Sequence, residues 1–299
     1  WFIHGVTFES GGKDHFSSGG SVDTGQRIVR AVFNKEPPLQ MPTEFIQIDG
    51  AKISGSKGNT ISLSDWLYFA EPELLRFMIA SYKPQTAINF DLHSNKFFLL
   101  ADRYDASQRA YFDAESKEKR DHQLTAIYKY SQVHAIPTSM PMQLSYNLAV
   151  VIVQTFPNKK LREIVDVLHE HGWLHSKQLT PYDEERLEKK MALARNWLTK
   201  YAPEDVKFVV QEQVPKNLNI GPKEKEALHA LAKKLKEKEW TQDELFNEFY
   251  TLCTTLGIKN TDFFKAAYAV LLNKERGPKL APFILTLGRE KVAKLFEDV

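Results

Sequence analysis

The 299-residue sequence predicts an α/β segment, built on part of an open and mainly parallel sheet, followed by a predominantly all-α region. Three observations carry this. Nine of the 14 glycines fall within the first 58 residues, as expected for loop-rich structure folded around a ligand. That stretch alternates strand-like and helix-like patterns. Beyond it glycine nearly vanishes, and apolar residues recur at intervals of three and four.

The elements follow in order. Trp1–Phe8, WFIHGVTF, reads as a buried strand. A helix is expected from Ser21 to Asn34, with Ser21, Asp23 and Thr24 as candidate caps. Pro37, Pro38 and Pro42 break it, and Thr43–Asp49 alternates apolar and polar like a strand. Each strand leads into a glycine-bearing loop, the arrangement that places ligands at strand carboxyl ends in open α/β sheets. Two strands and one helix cannot cover such a sheet, so an exposed edge and apolar face are expected.

From Ser62 the pattern is helical. Ser62 or Ser64 is positioned to cap a short helix, and Pro72 opens the next, whose Leu74, Leu75, Met78, Ile79 and Tyr82 form one apolar stripe. A long helix follows from about His93 to Phe112. Further helices are expected over about 120–133, 143–155, 159–170, 181–201, 222–239, 242–256 and 261–273, with shorter ones after Gly277 and Gly288. Asn158, Thr180 and Thr261 are capping types, and Thr241 with Glu244 forms a capping box. Ala227, Leu228, Leu231, Ala232 and Leu235 make a clean amphipathic face. The borders proposed are 1–62, 63–112 and 113–299.

Composition excludes several classes. Hydrophobic residues make up 42% of the chain, which argues against disorder, and the net charge of +2 announces no bulk nucleic-acid affinity. A footprint for RNA would have to be a local patch. The single cysteine, Cys253, rules out an intrachain disulfide and a cysteine zinc site, and no metal site is expected within the chain. The longest apolar run, near Leu148–Val153, is too short to cross a bilayer. A soluble, cytoplasmic protein with no membrane or DNA partner is the expectation.

The chemistry concentrates in KISGSKGN, Lys52 to Asn59. Two ammonium groups, Lys52 and Lys57, flank two hydroxyls, Ser54 and Ser56, while Gly55 and Gly58 let the backbone approach a ligand. Backbone N–H groups in such a turn form an anion-binding concavity. A P-loop is excluded by spacing, because Ser56 follows Gly55 where lysine is required. The string resembles the Lys-Met-Ser-Lys-Ser signature of class I aminoacyl-tRNA synthetases, often continued as Lys-Gly-Asn. Gly55 stands where the signature normally has its second lysine, and Lys57 is assigned that role. Gly11-Gly12-Lys13-Asp14-His15 is similar to the Gly-x-Asp-His element of the same enzymes, and 37 residues separate Asp14 from Lys52.

Together with EPELLRFMIASYKPQTAINFDL and the tail from Asp262, these strings resemble class I lysyl-tRNA synthetase across nearly the whole chain. The resemblance implies a partial Rossmann-type catalytic half, a helical stem-contact connector and an anticodon-binding domain. It also implies lysine, ATP with Mg²⁺ and tRNA(Lys) as partners. Lys52, Ser54, Ser56 and Lys57 would be catalytic, meeting charge on pyrophosphate. Gly11, Gly12, Asp14, His15, Ile53 and Gly55 would line the nucleotide, Asp14 and His15 at its ribose. The superfamily's His-Ile-Gly-His-like element is not found, so residue 1 is expected to fall mid-domain and the chain alone to be inactive. Trp173, Trp240, Phe263, Tyr268, Arg276 and Lys279 are conceivable base contacts, each more simply core or surface. The alternatives are a glutamyl-type class I synthetase and a non-catalytic helical tRNA-binding module.

Overall fold

A computed structural model describes residues 1–48, 50–52, 60–93, 95–113 and 119–299, with backbone alone at 51–52, 95 and 119–121. The chain divides into two compact units, Trp1–Met140 and Pro141–Val299. The sequence reading set a border at 112/113. The helix Lys119–Ser131, beyond that point, lies within the first unit.

The first unit opens differently from expectation. Trp1–Phe8 is not a buried strand: Gly5, at φ +62, closes a turn through its N–H to Phe2 O, and Ile3 is 82% exposed. The strand β1 is Phe8–Gly12, and β2, Leu39–Thr43, runs parallel to it, with Gly12 opposite Thr43. The helix α1, Ser21–Phe33, connects them and ends where Asn34 adopts the left-handed conformation. Its N-cap is Gly20, so Ser21, Asp23 and Thr24 all lie inside the helix. The expected strand Thr43–Asp49 is split. Its second half is β3, Ile46–Ile48, which pairs parallel with β5, Ile88–Phe90, and antiparallel with β4, Ala51–Lys52. Pro42 is accommodated because β2 pairs only with β1 among the described residues, leaving that position free of a required donor.

Helices α2, Leu63–Phe69, and α3, Pro72–Ala80, begin as expected, α2 with Ser62 and Asp65 in a reciprocal capping box. The buried stripe of α3 is Leu74, Phe77 and Met78, while Ile79 is exposed. The spacing of three and four permits both faces, and packing selected the one carrying Phe77. With α4, Asn95–Phe112, and α5, Lys119–Ser131, these helices enclose an aromatic core. Trp66 meets Phe69 at 5.4 Å and Phe90 at 5.1 Å, and Tyr104 meets Phe77 at 5.5 Å and Tyr128 at 5.8 Å. Burial pushes the Tyr104 phenol well above its usual pKa, so it stays neutral and accepts from Gln132 Nε2.

The second unit is all-helical among its described elements: α6 Tyr146–Thr155, α7 Leu161–Glu170, α8 Pro181–Lys200, α9 Pro222–Glu237, α10 Gln242–Leu256, α11 Asn260–Leu272, α12 Leu280–Leu287 and α13 Arg289–Glu297. Two expected caps are displaced. Asn158 lies before the N-cap Lys160 of α7, and Thr261 lies inside α11, whose N-cap is Lys259. Thr180 and Thr241 cap as expected, with Asp183 and Glu244 answering. The face Ala227, Leu228, Leu231, Ala232 and Leu235 is fully buried and packs with Phe249, Phe263, Ile284, Val292 and Phe296. Cys253 is a free, buried thiol whose pKa is raised by burial. No helix among the described residues is long and apolar enough to cross a membrane.

Asp183 gives this unit a testable pH response. It accepts from the Thr180 hydroxyl at 2.7 Å and from the Met142 N–H at 2.7 Å, joining the α8 cap to the segment before α6. Burial alone would raise its pKa, but these hydrogen bonds and the Arg186 charge outweigh it, and the net shift is downward from 3.8. A depressed carboxyl pKa stabilises the fold above the ordinary value, and that stability is lost as pH falls through the folded pKa. Asp183→Ala should cost about 1–2 kcal/mol near neutrality, as expected for a lost N-terminal cap partner. It should also flatten the acid limb of stability measured by urea midpoints. A variant as stable as the parent, with the same acid limb, would show the two bonds to be inconsequential.

Candidate functional site: two glycine turns and a tryptophan-lined cleft

In the first unit, Gly11 and Gly12 end β1 and the chain passes into a 3₁₀ turn, Lys13–Phe16. That turn is fastened at several points. The Ser17 hydroxyl donates to Asp14 O at 2.7 Å, the Gly20 N–H donates to Ser17 O at 2.8 Å, and His15 Nδ1 lies 2.9 Å from Ser21 Oγ at the start of α1. Lys13 bonds Glu44 at 2.8 Å and sits 5.0 Å from the Phe45 ring centroid. Thr43 Oγ1 donates to Gly11 O at 3.0 Å. The turn is therefore tied to the chain that leaves β2, and Asp14 and His15 are both exposed on it.

Gly20 is required by space alone. A Cβ there would stand 2.4 Å from His15 O and 2.9 Å from Asp14 O, both backbone atoms. The start of α1 thus presses directly on the turn that carries the ribose candidates. Gly20→Ala should destabilise the first unit by about 1–3 kcal/mol, the usual cost of overpacking, and should displace Asp14 and His15. Thermal denaturation checks this, and an unchanged midpoint would mean the turn yields without cost. The preceding Gly19, at φ +79, donates its N–H to Asp23 Oδ2 at 2.9 Å. That bond, then the Arg27 side chain, holds the Asp23 carboxyl below the usual range.

Ile53, Ser54, Gly55, Ser56 and Lys57 lie outside the described residues, as do Gly58 and Asn59, and of Lys52 only the backbone is described. What is placed is the approach. β3 runs on from β2, Gly50 turns at φ +78 with its N–H on Asn89 Oδ1, and β4 returns with Lys52 opposite Gln47. Three residues lie between Thr43, opposite Gly12, and Gln47, a span of at most about 14 Å of chain. At Lys52 the chain is heading back along β3 toward Phe45 and the Gly12 turn.

In the second unit the aromatic candidates separate. Phe263 is fully buried, and Tyr268 is buried with its hydroxyl donating to Pro278 O, so both are core rather than base contacts. Arg276 and Lys279 are exposed. Trp173 and Trp240 share a cleft of about 880 Å³ with Glu170, His171, Glu239 and Arg289. Neither His171 nor Arg289 was legible as a site residue, because 118 positions separate them and only folding joins them. Among the described residues no three His, Cys, Asp or Glu side chains gather as a metal-binding group.

Residues 1–134 match the family described as tRNA synthetases class I (K), and residues 161–294 match an anticodon binding domain. The first 134 residues of the chain are similar to the class I (K) tRNA synthetases. Lysine--tRNA ligases of Pyrococcus horikoshii and Thermococcus kodakarensis are each 37% identical to it, over 98% of the chain and 56% of their own length. The lysine--tRNA ligase of Borreliella burgdorferi is 35% identical, over 99% of the chain and 56% of its length. The chain thus spans about half the length of these curated relatives. A glutamate tRNA ligase structure from Elizabethkingia meningosepticum aligns over 99% of this chain and 57% of its own, with a TM-score of 0.35 and 14% identity, too distant to bear on the fold. The class I (K) synthetase match contains the Gly11–His15 turn and the Lys52–Asn59 string, and the anticodon-binding match contains the whole tryptophan cleft.

Proposed function

We propose that this chain is part of a lysyl-tRNA synthetase that joins lysine to ATP, releasing pyrophosphate, and then transfers the lysyl group to tRNA(Lys). The observation that supports this best is the fastened Gly11–His15 turn at the carboxyl end of a parallel strand, with β4 directing Lys52 back toward it. The lysine--tRNA ligase relatives supply the amino acid. Asp14 would accept hydrogen bonds from ribose hydroxyls, with His15 beside it and Gly11 and Gly12 allowing close backbone approach. Ile53 and Gly55 would line the nucleotide. Lys52 and Lys57 would meet negative charge building on the departing pyrophosphate, and Ser54 and Ser56 would donate hydrogen bonds to it. Positioning and charge stabilisation carry such chemistry, with little covalent work for the protein. The described residues offer no protein cage for Mg²⁺, which would arrive on the nucleotide phosphates and their waters. Residues 63–112 would serve as the stem-contact connector, the following helices would read the anticodon, and the work would be cytoplasmic.

Amino-acid-dependent exchange of pyrophosphate into ATP by the intact protein tests this reading. Lysine should support exchange and glutamate should not. Exchange with glutamate would move the assignment to a glutamyl-type enzyme. Binding of tRNA with no exchange for any amino acid would leave a tRNA-binding module.

A further inference from the structure

We propose that Lys13 and Glu44 form a positioning latch for the nucleotide turn and that Lys13 is not a phosphate ligand, a proposal that rests on the synthetase reading above. A cation beside two ribose candidates at a strand end would ordinarily be counted as a phosphate contact. The geometry turns this one elsewhere. Lys13 Nζ lies 2.8 Å from Glu44 Oε1 and 5.0 Å from the centroid of the Phe45 ring. The ammonium is thereby held between a carboxylate and an aromatic ring, both on the segment that leaves β2.

That segment is the anchored partner of the two. The Glu44 N–H donates to Pro84 O at 2.7 Å, and Phe45 O accepts from the Ile88 N–H at 3.1 Å. Both are backbone bonds, so rotation of a side chain does not move them. On its other side the segment holds the turn residue by residue. Thr43 Oγ1 donates to Gly11 O at 3.0 Å, Glu44 takes Lys13, and the Phe45 ring stands so near Gly12 that a Cβ there would lie 3.9 Å from Cε1. The same three residues run directly into β3, whose antiparallel partner β4 carries Lys52. The latch therefore sets Asp14 and His15 against the strand pair that delivers Lys52. The Lys13 and Glu44 side chains are 49% and 25% exposed, so the ion pair is worth only about a few-fold in the folding equilibrium. Its leverage is geometric, because a binding group displaced by about 1 Å can cost about a hundredfold in rate. An effect on catalysis without a matching effect on stability is the expected signature.

Lys13→Met, Glu44→Gln and the double variant test the latch in the intact protein through lysine-dependent pyrophosphate exchange. Each single variant should lower kcat/KM for ATP about five- to thirtyfold, with kcat falling as well as KM rising. The double variant should be no worse than either single, as for two ends of one interaction. Urea midpoints should stay close to the parent's. The reversed pair, Lys13→Glu with Glu44→Lys, should recover part of the loss. If Lys13 met phosphate, Glu44→Gln would free it and leave activity unharmed while Lys13→Met alone was damaging, and that pattern would overturn the proposal. Additive losses in the double variant would do the same. Amide hydrogen exchange in peptides spanning Gly11–Ser21 of the 299-residue chain needs no activity. Both single variants should speed it to a similar degree, and protection equal to the parent's would remove the latch whatever the kinetics. A parent protein with no lysine-dependent exchange would instead sink the synthetase reading, and amide protection would then decide the latch alone.

Discussion

Lys57→Ala should slow lysyl-adenylate formation in the intact protein by roughly a hundred- to a thousandfold, or about 3–4 kcal/mol of lost stabilisation. The loop from Lys52 to Asn59 contains two ammonium groups, and Gly55 occupies the place where the related signature carries another. In the role proposed for this loop, removing one of its two charges would leave the other too weakly matched to a departing pyrophosphate. Because that charge develops in the transition state, the rate of pyrophosphate exchange should fall much more than the apparent ATP affinity. Lys57→Arg should recover part of the rate, since it restores charge with a different hydrogen-bonding geometry. A Lys57→Ala enzyme within a few-fold of the parent would remove Lys57 from the mechanism.

The second large effect is structural. Phe263→Ala should destabilise the second unit by about 3–5 kcal/mol, the range for a large aromatic deleted from a core. Phe263 is fully buried, with ring centroids of Phe249 at 5.6 Å and Phe264 at 5.5 Å. The same residue is a conceivable base contact on sequence alone, so a paired measurement separates the roles. Phe263→Leu keeps most of the volume and should leave RNA affinity unchanged while lowering the urea midpoint modestly. A Phe263→Ala loss below about 1 kcal/mol would mean that the surrounding helices collapse onto the gap.

Helices with strong local signals were legible, and the reason is local physics. Pro72, Ser62, Thr180 and Thr241 mark helix starts because caps and N-terminal prolines act within one turn. The leucine face of α9 needs only a period of 3.6 residues to declare itself. The opening strand misled because WFIHGVTF is largely apolar, and the signal that redirects it is a single glycine, Gly5, at φ +62. The cap expected at Asn158 failed for a different reason: the helix begins later, where Glu163 can reach the Lys160 N–H.

The amino-acid sequence by itself determined most of the helices beyond residue 62, though not the strand Ile88–Phe90 among them, and the motif strings that point to a nucleotide and a tRNA. These depend on neighbours a few residues apart, within the reach of a cap, a turn or a helical period. Only the tertiary structure decided that Phe77 rather than Ile79 faces the aromatic core, that Gly20 abuts the Asp14–His15 turn, and that β4 doubles back along β3. It alone joined His171, Trp240 and Arg289 around one cleft. Burial, close backbone approach and shared charge are properties of distances between remote residues, and no linear pattern holds that information until the helices have packed.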